Sequence, residues 1–169
     1  MRLINNLVYL ENNYELWKKE FNSKKQRLEN IFQNKDFTIE HVGSTAVKGL
    51  LAKPIIDIAI GVQSLDDIKP YIPKLSRLYT IKENYDNNEI LLIDENEKET
   101  KFLIHVMLIN SARYKNMITF RDILIENPSI LKQYEDLKIE LSKKYSNNRT
   151  MYTKSKNGFI KNILKNTNY

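Results

Sequence analysis

Between Asn12 and Gln33 the apolar residues fall at Tyr14, Trp17, Phe21, Leu28 and Ile31, in steps of three, four and seven. That spacing predicts an amphipathic helix, because a 3.6-residue turn brings such positions onto one face. Phe37 to Val42 reads as a short strand. Gly43-Ser44 breaks it and opens a short helix, with Ser44 as the candidate N-cap. After Lys53-Pro54 comes Ile55-Ile56-Asp57-Ile58-Ala59-Ile60-Gly61-Val62, a continuous apolar run of the kind found in strands buried on both faces. A single polar residue interrupts it, and that residue is a carboxylate. Strand alternation groups Asp57 with Ala59 and Gly61, opposite Ile56, Ile58 and Ile60.

Ser64 to Leu78 predicts a helix disturbed by Pro70 and Pro73. Tyr79–Tyr85 and Glu89–Asp94 predict a hairpin across Asp86-Asn87-Asn88, since Asn and Asp tolerate left-handed turn geometry. A charged loop, Glu95–Thr100, leads into a further strand from about Lys101 to Ile109, on which His105 shares a face with Leu103 and Met107. The remainder is helical. One helix over Ala112–Glu126 stops at Asn127-Pro128. The next carries Ile130, Tyr134, Leu137, Leu141 and Tyr145 on one stripe, and a last helix after Ser146-Asn147-Asn148 holds Tyr152, Phe159, Ile160 and Ile163. Helix, mixed β-sheet and helical tail make an α+β chain, expected as one domain over 1–169 with its core at about 14–110 and a helical part at about 112–165.

Composition narrows the chemistry. The 169 residues contain no cysteine, which removes disulfides, thiolate metal sites and a cysteine nucleophile together. The first twenty residues show neither a long apolar run nor a small-residue cleavage site, so cytoplasmic residence is the expectation. The net charge of +6 is uneven: residues 1–100 hold 14 Lys+Arg against 16 Asp+Glu, and residues 101–169 hold 13 against 5. A basic half either coats solvated helices with lysine or faces an anionic partner such as a nucleotide or RNA.

The segment Glu40-His41-Val42-Gly43-Ser44-Thr45-Ala46-Val47, followed by Lys53-Pro54-Ile55-Ile56-Asp57-Ile58, carries the candidate chemistry. Glycine lets backbone approach a ligand closely, and the free N–H groups of a helix start with the Ser44 hydroxyl suit a phosphate. Asp57 on the adjacent strand is placed to hold a divalent cation against it, with Lys53 as a point charge. The plainer readings are a cap for Gly43-Ser44 and a solvated side chain for Lys53. Asp57 resists a plain reading, because a buried carboxylate is costly unless it is paired, hydrogen-bonded or metal-bound.

This segment, with Gly49-Leu50, resembles the signature of the GrpB (UPF0157) family. His105-Val106, Phe120-Arg121-Asp122, Tyr134 with Leu137-Lys138, Tyr152 with Lys154, and Phe159-Ile160 resemble its later motifs, so the likeness covers about residues 14–164. Lys48 stands where the family often has proline. The resemblance implies a nucleotidyltransferase (polymerase-β-like) fold, whose pattern is Gly-Ser, two alternating acids on the next strand and a third acid on a later one. Gly43-Ser44 and Asp57 fit that pattern. Ala59 stands at the second acid position, and the later strand, Lys101 to Ile109, offers His105 instead of an acid.

By this resemblance the chain is a nucleotidyltransferase passing a nucleoside monophosphate from a nucleoside triphosphate to a small acceptor. Gly43, Ser44, Thr45, Lys53, Arg121 and Lys154 would seat phosphate. Asp57 and His105 would bind Mg²⁺, one ion rather than two, with Glu40 or His41 as additional ligand candidates and Glu40 as candidate base. Asp122 is expected to pair away from Arg121. The missing second acid supports an alternative, a nucleotide- or phosphometabolite-binding module without catalysis. An RNA-binding interaction protein is the third reading.

Overall fold

A computed structural model describes residues 6–33, 36–84, 88–95 and 100–167. Helix α1 spans Tyr14–Phe32 and buries Trp17, Phe21, Leu28 and Ile31 of the predicted stripe, with Tyr14 half-buried. The seven-residue gap in that stripe is filled by Lys24. Its stem lies buried, and its ammonium pairs with Asp94 at 2.5 Å and sits 4.5 Å from the centre of the Phe102 ring.

Strand β1 (Thr38–Val42) runs antiparallel to β2 (Ile56–Val62). The hairpin β3 (Thr80–Asn84) and β4 (Glu89–Glu95) leads to β5 (Thr100–Leu108). The five strands order as β1-β2-β5-β4-β3, with β2 and β5 parallel and the other pairs antiparallel. β2 is thus bonded on both edges, and it is covered on both faces, as its apolar run predicts. Asn88 adopts the left-handed conformation expected of the hairpin turn (φ 46°), whereas Asp86, Asn87 and residues 96–99 of the charged loop lie outside the described residues.

Alternation along β2 and β5 divides the molecule. Ile56, Ile58, Ile60, Phe102, Ile104 and Val106 face α1 in the main core, where each fully buried side chain stabilises by roughly 1.5–3 kcal/mol. Asp57, Ala59, His105 and Met107 face the other side. There α3 (Ala112–Glu126) packs Tyr114 against Val42, Ala59 and Met107. α4 (Pro128–Lys144), α5 (Arg149–Ser155) and α6 (Asn157–Asn166) extend this layer, with Phe120, Leu124 and Tyr134 closing on Val47 and Leu50.

Three expectations need correction. Ser44 is not an N-cap: it is the first residue of a 3₁₀ turn, Ser44–Ala46, whose N-cap position is held by Gly43. The chain reverses too quickly for an α-helix, closing only i→i+3 bonds from Ala46 to Gly43 and from Val47 to Ser44. The segment Ser64 to Leu78 is not one disturbed helix but a 3₁₀ stretch, Leu65–Tyr71, and a short α2, Ile72–Leu75, because Pro70 and Pro73 each lack a donor. The last helix divides into α5 and α6 at Lys156, whose N–H bonds back to Thr153 and breaks the α-helical ladder.

Candidate functional site

Asp57 lies near the start of β2, and Val42 is its partner across the β1 register, so Gly43 follows directly beside it. Gly43 has φ 73°, where side chains are disfavoured, and a Cβ there would stand 2.7 Å from Asp57 Oδ2. Glycine is required at this position twice over, by backbone geometry and by the carboxylate.

His105 sits opposite Ala59 in the parallel β2–β5 pairing, which brings it to the Asp57 face. Its Nε2 lies 3.1 Å from Asp57 Oδ1, and its Nδ1 is hydrogen-bonded to Glu89 Oε1. Glu89 Oε2 in turn accepts from Arg113 Nε at 2.8 Å. With a carboxylate on each ring nitrogen, both nitrogens donate and the ring is an imidazolium. Burial opposes that charge, but the bonds to Asp57 and Glu89 outweigh it and raise the pKa to about 9. Burial likewise opposes ionisation of Glu89, and the bond to His105 overcomes it, so Glu89 lies below the usual carboxylate range. Glu89 was not legible as a site residue. At the edge of a hairpin turn an acid reads as solvated, and only its pairing with a histidine sixteen residues on separates it from one.

Glu40 and Arg121, expected at the chemistry, engage each other: Arg121 Nη1 donates to Glu40 Oε2 at 2.8 Å and to the His41 carbonyl at 3.0 Å. Asp122 also binds Arg121, through Nε at 2.8 Å, which corrects the expectation that the two pair separately. The long guanidinium folds back along α3 and reaches a neighbour that does not share its helix face. Arg121 thereby clamps α3 to β1, and Glu40 is committed as its partner. His41 points to the α1 side, stacked on Phe21 at 4.7 Å and bonded to the Thr45 hydroxyl at 2.9 Å. Burial holds it down to about 4, so it is neutral.

The helical layer supplies Lys138, Arg149 and Lys156, and the segment before β2 supplies Lys53. A cavity of about 190 Å³ is lined by Thr45, Lys53, Lys138, Arg149, Tyr152 and Lys156, with Asp57 at its edge. It adjoins a larger cleft of about 520 Å³ bounded by Gly43, Phe120, Arg121, Leu124 and Tyr134. Ser44, Asp57 and Lys156 line both. Burial pushes Lys53 down to about 7, helped by Lys156 and Arg149 and opposed by Asp57. Lys156 falls to about 8, again through burial, with Asp57 opposing. Lys154, the residue expected here, lies exposed and lines neither cavity. It sits in the last turn of α5, whereas Lys156 sits at the break between α5 and α6 and turns inward.

The donors do not fit the expected metal. Among the described residues no three His, Cys, Asp or Glu side chains are grouped to hold an ion. His105 has no free ring nitrogen, Glu89 and Glu40 are bound by cations, and Ala59 offers nothing. Asp57 alone faces the cleft.

The chain belongs to the GrpB family, whose description, GrpB protein, matches residues 8–166. It is 36% identical over 163 residues to the glutamate-rich protein GrpB of Alkalihalophilus pseudofirmus, covering 93% of this chain and 94% of that one. It is 30% identical over 156 residues to a UPF0157 protein of Halalkalibacterium halodurans, covering 90% and 78% respectively. The crystal structure of conserved protein GrpB from Enterococcus faecalis superposes with a TM-score of 0.84 at 26% identity, over 93% of this chain and 95% of that one. The family read from the motifs and the α+β architecture expected of it both hold. No helix among the described residues is long and apolar enough to cross a membrane.

Proposed function

We propose that the cleft is a nucleotide-binding site that works as a binding module, with phosphates received by protein cations rather than by a pair of metal ions. The observation that carries this reading is the convergence of the Gly43-Ser44 turn, Asp57 and the inward Lys156 at the junction of the two cavities. The larger cleft suits a base or another flat apolar group. Its wall includes Phe120 and Tyr134, packed edge to face at 5.1 Å, with Tyr134 stacked on Phe159 at 5.4 Å behind it.

Transfer of a nucleoside monophosphate to a small acceptor is the second reading. It is favoured by Asp57 Oδ2, the oxygen not used by His105, which lies against Gly43 at the cleft. Against it stand the donor set and the commitment of Glu40 to Arg121, which removes the candidate base. RNA is the weaker partner, because Lys53, Lys138 and Lys156 line cavities instead of forming an exposed basic stripe.

Thermal shift with ATP, GTP, CTP and UTP, each in EDTA and in Mg²⁺, separates these readings. One nucleotide should stabilise the wild type in EDTA, by roughly 2.7 kcal/mol at 100 times its dissociation constant, and Asp57→Ala or Lys156→Met should change the shift. A shift seen only with Mg²⁺ and lost in Asp57→Ala would favour transfer. No shift with any nucleotide at millimolar concentration would sink both.

A further inference from the structure

The smaller cavity holds a feature that nucleotide binding at the cleft leaves unexplained. Among the described residues, the Tyr152 hydroxyl is the one buried side-chain polar atom without a hydrogen-bond partner. Tyr152 is 0% exposed and lines the same cavity as four cationic side chains. An unsatisfied buried hydroxyl is destabilising unless something absent from the chain completes it. The cations are unbalanced as well. Lys53, Lys138, Arg149 and Lys156 surround a space whose lining contains one carboxylate, Asp57, and that carboxylate is already bonded to His105. Lys138 spends one donor on the Leu51 carbonyl and keeps others. The Lys53 and Lys156 ammonium groups lie 5.1 Å and 4.4 Å from the centre of the Tyr152 ring, so two of the charges gather on the ring that carries the free hydroxyl.

From these placements we infer that the cavity of about 190 Å³ is a metal-free oxyanion pocket for a terminal phosphate or pyrophosphate group, which receives hydrogen bonds from Tyr152, Arg149 and the lysines. The polar side chains of its lining are donors or cations, apart from Asp57, and Ala52, Ile55 and Leu103 form its apolar part. Asp57 repels a ligand pushed further toward the cleft and so limits how the anion sits. The volume exceeds that of one phosphate and is too small for a nucleoside as well. This assignment deepens the nucleotide reading, on which the placing of the ligand's remainder in the larger cleft rests: the ligand is a phosphorylated small molecule lying across Ser44, Asp57 and Lys156.

Burial keeps the Tyr152 hydroxyl protonated and therefore a donor. Lys53 and Lys156, held near 7 and 8 while the pocket is empty, recover their charge when a dianion arrives, so binding takes up protons at neutral pH.

The test is calorimetric titration of the full chain with inorganic pyrophosphate in EDTA. Repeating it in two buffers of different ionisation enthalpy reads the proton uptake. The expected result is saturable binding with net proton uptake. Affinity should weaken about tenfold or more in Arg149→Gln and severalfold in Tyr152→Phe, which retains the ring and loses only the donor. Lys143→Met, on the exposed face of α4, should bind as the wild type does. Loss of affinity in Lys143→Met equal to that in Arg149→Gln would mean diffuse attraction and would overturn the pocket. So would the absence of pyrophosphate binding in a protein whose unfolding transition is intact. Nucleotide binding unaffected by Tyr152→Phe and Arg149→Gln would retain the cleft and remove this pocket. Pyrophosphate binding without any nucleotide binding would do the reverse.

Discussion

The two faces of the sheet use the same strands in opposite ways. On the α1 side, Ile56, Ile58 and Ile60 alternate into a dry core with Leu28 and Phe32, and the buried Lys24 beside it is matched by Asp94. On the other side, the intervening residues of the same strands present Asp57 and His105 to a layer of helices that carries more cations than it neutralises. The first face is complete within the chain. The second leaves a tyrosine hydroxyl unpaired and lysines pushed toward neutrality, which is how a face built for an external anion differs from one built for folding alone.

Two substitutions one strand apart should break this contrast with the largest effect. Ile58→Ala opens a cavity in the dry core and should cost about 4 kcal/mol in urea unfolding at any pH between 6 and 9. His105→Leu leaves Asp57 and the buried Glu89 without their shared cation and should cost ~3–5 kcal/mol, though here the loss depends on pH. The His105 pKa is raised from 6.5 to about 9 in the folded chain, so its contribution is fully present below about 6.5 and disappears as pH rises through about 9. The destabilisation by His105→Leu should shrink over that window while that of Ile58→Ala stays constant. A pH-independent His105→Leu penalty would mean that the ring acts by packing and not by charge.

Gly43→Ala should have the next largest effect, because it touches the turn and the carboxylate together. The added Cβ meets Asp57 Oδ2 at 2.7 Å with φ in the left-handed region, and a loss of ~1–3 kcal/mol follows from strain and displaced side chain. Gly49 has a similar φ of 84° but nothing within 4 Å of the place a Cβ would take. Gly49→Ala therefore serves as the comparison: it should share the backbone strain, and nucleotide-induced shifts should survive in it but not in Gly43→Ala. Equal loss of ligand response in both would detach the turn from the site.

The chain's own pattern disclosed the dry face almost completely. Alternation alone divides Ile56, Ile58 and Ile60 from Asp57 and puts His105 with Asp57, because a period of two admits only two faces. The charged face was legible in part. Gly43, Ser44, Asp57 and Lys53 lie within fifteen residues on one strand–turn–strand unit, where local geometry confines them. Glu89, Arg149 and Lys156 come from a hairpin edge, the start of α5 and the break between α5 and α6, and nothing in a lysine-rich helical tail tells an inward lysine from a solvated one. Lys154 illustrates this: two residues from Lys156, it has the same chemistry and stands in solvent because the helix breaks after it. The family motifs pointed to Arg121, but not to the fact that Glu40 and Asp122 already hold it.

The smallest expected effect is also the most discriminating, because its sign should change. Lys53 is held at about 7 in the folded chain against an ordinary 10.5, so between those values the unfolded chain binds more protons than the folded one. Wild-type stability therefore gains from this residue as pH rises through that window, and the burden of the buried charge is greatest below about 7. Lys53→Met removes the burden and keeps most of the apolar stem. Without ligand it should be more stable than the wild type by ~1–3 kcal/mol near pH 6, an advantage that fades toward pH 10. With saturating pyrophosphate near pH 6 the order should reverse, since the wild-type ammonium then has an anion to hold. Urea unfolding with and without pyrophosphate at the two pH values gives four numbers that check this. A Lys53→Met variant that is less stable than the wild type in all four would place Lys53 with Lys24, as a lysine that serves the fold and not the ligand.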